Sequence, residues 1–105
     1  MPKPEILPAA FDDILSIADH RIKTVGPQSA RAITDKLLTS ISLLETTPLM
    51  GPLHQDPVLH DLGFRKLVSG SYICIYRVLD DVPTIYRVFH ESRDYTLDFL
   101  WEVMR

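Results

Sequence analysis

The sequence LGFRKLVSGSYICIYRVLDDVPTIYRVFHESRDY, residues 62–95, decides the fold of this chain. It contains three runs that are rich in β-branched and aromatic residues: 64–68, 72–79 and 84–90. A Ser-Gly-Ser segment separates the first two runs, and an Asp-Asp-Val-Pro segment separates the second from the third. β-Branched and aromatic residues fit a pleated, half-buried surface, whereas Gly, Pro, Asp and Ser favour turns. The stretch therefore predicts three antiparallel strands joined as a meander.

Two helices are predicted upstream of this sheet. Apolar residues recur at helical spacing after Pro8, and they do so again from about Pro27 to Glu45. Proline is tolerated in the first turn of a helix, where its missing N–H costs little. Because only Gly26-Pro27 separates the two segments, the helices should form an antiparallel hairpin. A short strand is predicted around residues 5–7.

These elements predict one α+β domain over residues 1–105, with the order β-α-α-β-β-β. An N-terminal strand precedes the helical hairpin, which packs on a three- to four-stranded antiparallel sheet. We place four apolar residues in the core between the sheet and the hairpin: Ile33, Leu37, Ile75 and Val78. The segment 48–60 is predicted to be a loop.

The tail after Asp94 is more apolar than a helix with one buried face requires. It carries Tyr95, Phe99 and Trp101 among other large side chains. Either this tail folds back onto the open face of the sheet as a short C-terminal helix, or a partner covers it.

Composition limits the class of function. The net charge of −3 argues against a main role in tight, non-specific binding of nucleic acid, because that affinity comes from cations that neutralise phosphates. No apolar run approaches the length of a membrane span, and the N-terminus lacks the apolar region of a signal peptide. A single cysteine, Cys74, fits a reducing compartment. We expect a cytoplasmic protein that binds no cofactor, metal or membrane.

Titratable residues are concentrated where the third strand ends. His90 and Arg93 stand there and could present a proton-transferring and a basic group to a partner. The alternative is that Arg93 pairs with Asp94 or Glu91 while His90 forms a backbone hydrogen bond. Arg65 and Lys66 are adjacent in a strand, so they should point to opposite faces of the sheet.

The order of these features resembles the RelE/ParE superfamily, the toxins of type II toxin–antitoxin modules. The resemblance rests on the segments 62–78 and 85–94, and on the two upstream helices. It implies a cognate antitoxin that wraps and neutralises the toxin, and contact with operator DNA only through that antitoxin. RelE-like members cleave mRNA in the ribosomal A site, whereas ParE-like members inhibit DNA gyrase and stabilise plasmids.

The resemblance also suggests site residues. Lys66 and Arg93 match basic positions of the RelE-like nucleases, and His90 would complete a catalytic set, but Phe64 and Ile73 stand where that branch has cations. The segment 88–94 is similar to the ParE-like strand end. The resemblance therefore implies a gyrase inhibitor, with an mRNA endonuclease or an inactive antitoxin-binding homologue as alternatives. Six residues are predicted to contact partners: Arg65, His90, Arg93, Tyr95, Phe99 and Trp101.

Overall fold

The computed structural model describes residues 2–105. The strands are β1 (Glu5–Ile6), β2 (Arg65–Ser69), β3 (Tyr72–Leu79) and β4 (Val82–His90). The helices are α1 (Pro8–Thr24), α2 (Pro27–Ser42), α3 (Pro57–Asp61) and α4 (Thr96–Met104). A 3-10 turn, Leu43–Glu45, extends α2. The α+β fold and its element order are confirmed, and no helix among residues 2–105 has the length and apolar character to cross a membrane.

The four strands form one sheet in the order β1-β4-β3-β2. The meander of β2, β3 and β4 is antiparallel, as predicted. The sheet as a whole is mixed, because β1 lies parallel to β4 and places Ile6 opposite Ile85. The backbone N–H of Leu7 continues this pairing by donating to the carbonyl of Ile85 over 3.0 Å. β1 therefore fixes the start of α1 beside the sheet.

The helical hairpin covers one face of the sheet, which we call the hairpin face. Pro8 and Pro27 begin the two helices, as predicted. The buried residues of this layer come from α1, from α2 with its 3-10 extension, and from alternate sheet positions: Ala10, Ile14, Leu37, Ile41, Leu44, Leu67, Cys74, Tyr76, Ile85 and Val88. Ile33 and Val78 pack against this cluster, so the predicted placement of Ile33, Leu37 and Val78 is confirmed.

Helix α4 covers the opposite face, which we call the α4 face. The first of the two alternatives for the tail is therefore correct, since it folds back onto the sheet. This second core consists of Leu59, Phe64, Ile75, Phe89, Tyr95 and Phe99. The prediction that Ile75 lies under the hairpin is wrong. Side chains alternate along a strand, so Ile75 points away from the face that Cys74 and Tyr76 occupy.

A β-bulge in β4 adjusts this alternation. Ile75 of β3 lies opposite Arg87, whereas the next residue, Tyr76, lies opposite Ile85. Tyr86 is therefore the extra residue of β4, and such a bulge increases local twist. As a result two successive side chains, Tyr86 and Arg87, lie on the α4 face, where Arg87 stands over the ring of Phe89.

The turn between β3 and β4 consists of Asp80 and Asp81, both with positive φ, 50° and 67°. A two-residue turn with positive φ at both positions matches the right-handed twist of the strands that it joins. Glycine and asparagine adopt this conformation at lower cost than aspartate does. This tight turn lets β4 begin at Val82, two residues before the predicted start at Thr84. Pro83 is accommodated because β1 pairs with β4 only from Thr84 onward.

The predicted loop 48–60 contains α3, which the sequence analysis missed. The side chain of Asp56 caps this helix by accepting hydrogen bonds from the N–H groups of Val58 and Leu59, each at 3.1 Å. Pro57 occupies the first helical position. An Asp-Pro pair is a signal for a helix start, so the pattern was available in the sequence.

The preceding part of this loop is held against the sheet by Tyr76. Its hydroxyl donates to the carbonyl of Pro48 over 2.9 Å and accepts from the N–H of Gly51 over 3.0 Å. A Cβ at Gly51 would clash with the carbonyl oxygen of Lys66, so only glycine fits this close approach. The loop therefore has a defined course across the edge of β2.

Cys74 lies at the centre of β3 and is completely buried. Burial raises the pKa of its thiol to about 12. The thiol is therefore protonated at neutral pH and has no nucleophilic role in the folded protein.

We predict that Leu37→Ala lowers the free energy of unfolding by about 2–5 kcal/mol, because it leaves a cavity in the hairpin-face core. The matched control is Leu38→Ala in the same helix, where the side chain is exposed and the loss should stay near 0.5 kcal/mol. Urea unfolding measures the free energy of unfolding of both variants and of the parent. Equal losses for the two variants would contradict the packing described above.

Candidate functional site

β4 ends at His90, and the chain then turns through residues 91–94 into α4. The Nδ1 atom of His90 accepts a hydrogen bond from the N–H of Ser92 over 3.0 Å and lies 2.7 Å from the Ser92 hydroxyl. The imidazole also makes an edge-to-face contact with Tyr72, with the ring centroids 5.3 Å apart. His90 is thus exposed but held by its own turn, as the second alternative for this residue supposed.

Arg93 lies on the other side of the sheet end. Its guanidinium stands 5.0 Å from the centroid of the Phe89 ring and donates to Asp98 over 3.3 Å. Arg93 therefore forms an ion pair, as the second alternative predicted, but its partner is Asp98 of α4 and not Asp94 or Glu91. Arg93 joins the strand end to the first turn of α4 while remaining half exposed.

Lys66, His90 and Arg93 do not form one cluster. Lys66 lies opposite Ile75 on the α4 face, whereas His90 lies opposite Tyr72, which packs toward the hairpin. The strand register separates Lys66 and His90 by roughly 10 Å along the strands and roughly 10 Å across them. Together with their positions on opposite faces, this separation prevents the two side chains from acting on one reacting group.

The six predicted partner-binding residues differ in accessibility. Tyr95 and Phe99 belong to the α4-face core, so neither presents its side chain to a partner in this conformation. Aromatic residue type alone did not distinguish core residues from surface anchors. Arg65 is half-buried, and its guanidinium donates to the carbonyl of Gly51 over 2.9 Å. Arg65 and Lys66 do point to opposite faces, as predicted.

Trp101 is the exception among the large aromatic residues of the tail. Its exposure is 72%, and Leu97 and Met104 of the same helix are 79% and 65% exposed. The spacing of these residues places them on one side of α4, next to the half-buried Leu100. Together with Arg105 they line a shallow groove of about 350 Å³. We call this surface the Trp101 face.

A second exposed apolar surface follows the outer side of α1. It consists of Phe11, Leu15, Ile22 and Val25, which are all about half exposed or more. Their spacings of four, seven and three residues keep them on one side of the helix, with Val25 directly after its last residue. We call this surface the α1 stripe. Both apolar surfaces are thus presented by helices that border β4.

An ion-pair network joins those helices to the edge of β4. The carboxylate of Asp13 in α1 accepts from Nε and from the terminal nitrogen Nη2 of Arg87, over 2.6 and 2.9 Å. The same carboxylate accepts from the backbone N–H of Val88 over 3.0 Å. Arg87 also donates to Glu102 of α4 over 2.6 Å. Asp13 thus satisfies an N–H group of β4 beyond the end of β1.

Burial makes this network more than a surface contact. The side chains of Arg87 and Asp13 are only 20% and 17% exposed. Hydrogen bonding to Asp13 raises the pKa of the Arg87 guanidinium, and the charges of Asp13 and Glu102 add to that effect. Arg87 therefore stays positively charged, and its guanidinium holds α1 and α4 against β4. Sequence reasoning missed the network because its members are 74 residues apart.

A second polar contact attaches the start of α4 to the loop before α3. His54 is completely buried. Its Nδ1 accepts from the N–H of Asp56 over 3.0 Å, so Nε2 carries the hydrogen and donates to the hydroxyl of Tyr95 over 2.8 Å. Burial lowers the pKa of His54, and the charge of Lys66 lowers it further while Asp56 opposes both. His54 is therefore neutral at pH 7.

Three arginines of the α4 face are engaged by other groups of the protein. Arg77 donates to the carbonyl of Leu62 and lies over the ring of Phe64, Arg87 pairs with Glu102, and Arg93 pairs with Asp98. The exposed helices carry apolar surface. A family model, the ParE toxin of the type II toxin–antitoxin system parDE, matches residues 5–95. The chain therefore belongs to the ParE toxin family.

A solved structure agrees with this assignment at the level of the fold. A chain from the chromosomal ParDE toxin–antitoxin system of P. aeruginosa superposes with a TM-score of 0.69 and 19% sequence identity. The match covers 84% of this chain and 96% of that chain. A search of curated protein sequences gave no significant match.

We predict that Asp13→Ala lowers the free energy of unfolding by about 2–3 kcal/mol, because Arg87 and the Val88 N–H lose a charged acceptor. Asp12→Ala is the matched control, since Asp12 is exposed one residue earlier in the same helix. Thermal unfolding compares the two variants. A loss from Asp13→Ala as small as that from Asp12→Ala would show that the network adds little.

We predict that His54 makes the free energy of unfolding fall as the pH drops below about 6.5, which is the ordinary pKa of histidine. The unfolded state binds a proton there, whereas the lowered pKa of the folded state resists protonation. His54→Gln cannot titrate, so its deficit relative to the parent should shrink between pH 7 and pH 5. The exposed His60→Gln is the control, and urea unfolding at each pH is the measurement. A deficit that is constant with pH would contradict this role.

Proposed function

We propose that this chain is the toxin of an antitoxin-neutralised pair and that it inhibits DNA gyrase. The observation that carries the proposal is the Trp101 face. A Trp flanked by Leu97 and Met104 on one side of a short helix is an exposed apolar patch with an aromatic centre. Aromatic anchors of this kind supply most of the energy of protein–protein docking. The target is therefore a protein surface.

Cleavage of mRNA receives less support from the same geometry. Attack by a 2′-hydroxyl group needs a base, an acid and a stabiliser of the developing anionic charge within one site. Lys66 and His90 lie on opposite faces, and Arg93 is engaged by Asp98. A net charge of −3 also favours a protein target over ribosomal RNA.

The antitoxin, in this proposal, covers the α1 stripe. A row of half-exposed apolar residues that includes Leu15 and Ile22 matches the anchors of an amphipathic helix laid along α1. A segment that folds on binding can extend from there across neighbouring surface. Operator DNA is contacted by the antitoxin and not by this chain. The two apolar surfaces thus have separate partners.

We predict that purified toxin blocks supercoiling of relaxed plasmid by gyrase, and that Trp101→Ala weakens the block at least about tenfold, as for a binding hot spot. Ile22→Ala should inhibit gyrase as the parent does, but bind the antitoxin encoded by the adjacent gene less tightly. Trp101→Ala should keep its antitoxin affinity. Adding antitoxin to the parent toxin should restore supercoiling.

A ribosome-dependent mRNA cleavage assay runs beside the gyrase assay. Unchanged supercoiling together with cuts in the ribosomal A site would replace the proposal by the nuclease. Normal growth on expression of the chain alone, with activity in neither assay, would identify an inactive antitoxin-binding homologue. Equal gyrase inhibition by the parent and Trp101→Ala would leave gyrase as the target but remove the Trp101 face from the interface.

A further inference from the structure

A small cavity opens between the helical hairpin and the β2–β3 turn, and none of its lining residues belongs to either apolar surface. Its volume is about 190 Å³. Arg21 near the end of α1 and Lys36 in the middle of α2 line it from the helical side. Gly70, Ser71 and Tyr72 line it from the sheet side. None of these residues has a part in the contacts that hold α4.

The charge of this cavity is uncompensated. Arg21 and Lys36 form no ion pair with any carboxylate of residues 2–105. Glu91 is the acidic residue attached to the turn, where its backbone N–H donates to the carbonyl of Ser71 over 2.8 Å. Its carboxylate pairs with neither cation. Two cations around one small cavity create a local positive potential that attracts an anion.

The wall of the cavity is already organised. The hydroxyl of Ser69 lies 2.8 Å from that of Ser40 and donates to the carbonyl of Lys36 over 3.5 Å, which connects the turn to α2. Gly70 has a φ of 60°, and a Cβ built on it would lie 3.3 Å from Nζ of Lys36. The ammonium group therefore rests against the turn at Gly70. A preorganised wall lowers the cost of binding.

We propose that this cavity binds a phosphate group through Arg21 and Lys36. Donors from two helices and a turn surround the cavity from several sides, which suits a tetrahedral anion better than a planar carboxylate. The volume is below the roughly 300–1,000 Å³ of pockets that enclose a whole small ligand. The cavity therefore holds the phosphate and leaves the rest of any ligand outside.

The phosphate has two possible sources, free phosphate and the 5′-phosphate of a nucleotide. Tyr72 lines the cavity, and the ring of His90 packs against that of Tyr72 in an edge-to-face contact. A nucleotide bound by its phosphate would place its base near these rings, where stacking is favourable. This inference does not depend on gyrase being the target, because it uses neither the Trp101 face nor the α1 stripe.

The test is an NMR titration of the full-length, isotopically labelled protein at constant ionic strength. Inorganic phosphate is added in one arm, AMP in a second and sodium chloride in a third. We expect saturable shifts of the Gly70 and Ser71 amides with phosphate or AMP but not with chloride. Further shifts at Tyr72 and His90 with AMP alone would identify a nucleotide as the preferred source.

Lys36→Met and Arg21→Met should each weaken phosphate binding about tenfold or more, since each removes a charged donor. Lys23→Met is the matched control, because Lys23 lies two residues from Arg21 and pairs with Asp19. It should bind phosphate as the parent does. The spectrum of each variant shows whether the fold is retained.

Three results would overturn the proposal. They are shifts that never saturate, shifts spread over all the surface lysines, and equal affinity of the parent and Lys36→Met. Binding of an acidic peptide at these amides without binding of phosphate or AMP would also reject it in favour of a carboxylate site. Because the readout is binding alone, failure here leaves the gyrase proposal untouched.

Discussion

The carboxylate of Asp13 is the contact on which the arrangement of the helices around β4 depends. It accepts two hydrogen bonds from Arg87 and one from the N–H of Val88, at the part of β4 that β1 does not cover. Arg87 extends the connection to Glu102. One guanidinium thus attaches helices from both faces of the sheet to the same strand. Because breaking a partly buried pair leaves a charge without a partner, both helices are held in position.

The bulge in β4 makes this connection possible. If β4 continued regularly from Ile85 through Tyr86 with no bulge, strict alternation would place Arg87 on the hairpin face, inside an apolar layer. With the bulge, Arg87 lies on the α4 face, over the ring of Phe89, and reaches around the strand edge to Asp13. An irregularity of a single residue therefore decides how the two layers are joined. Bulges near functional surfaces commonly redirect one side chain in this way.

Much of the fold was predictable because its signals are local. The prolines and glycines that begin helices and close turns, and the helical spacing around Leu37, are all short-range patterns. The site was harder to predict. The burial of Phe99 beside the exposure of Trp101 depends on which side of α4 meets the sheet, and residue type does not encode that. The contact between Asp13 and Arg87 depends on the register of a strand and a helix that are distant in sequence.

The burial of Cys74 gives the protein an internal reporter of its own opening. A thiol whose pKa is about 12 and which no solvent reaches cannot be alkylated in the native state. Any labelling must therefore proceed through molecules in which the hairpin has separated from the sheet. Since this is the one cysteine of the chain, the rate of its modification measures that separation directly. A bound partner that clamps the hairpin onto the sheet would slow the reaction in proportion to its affinity, without any introduced probe.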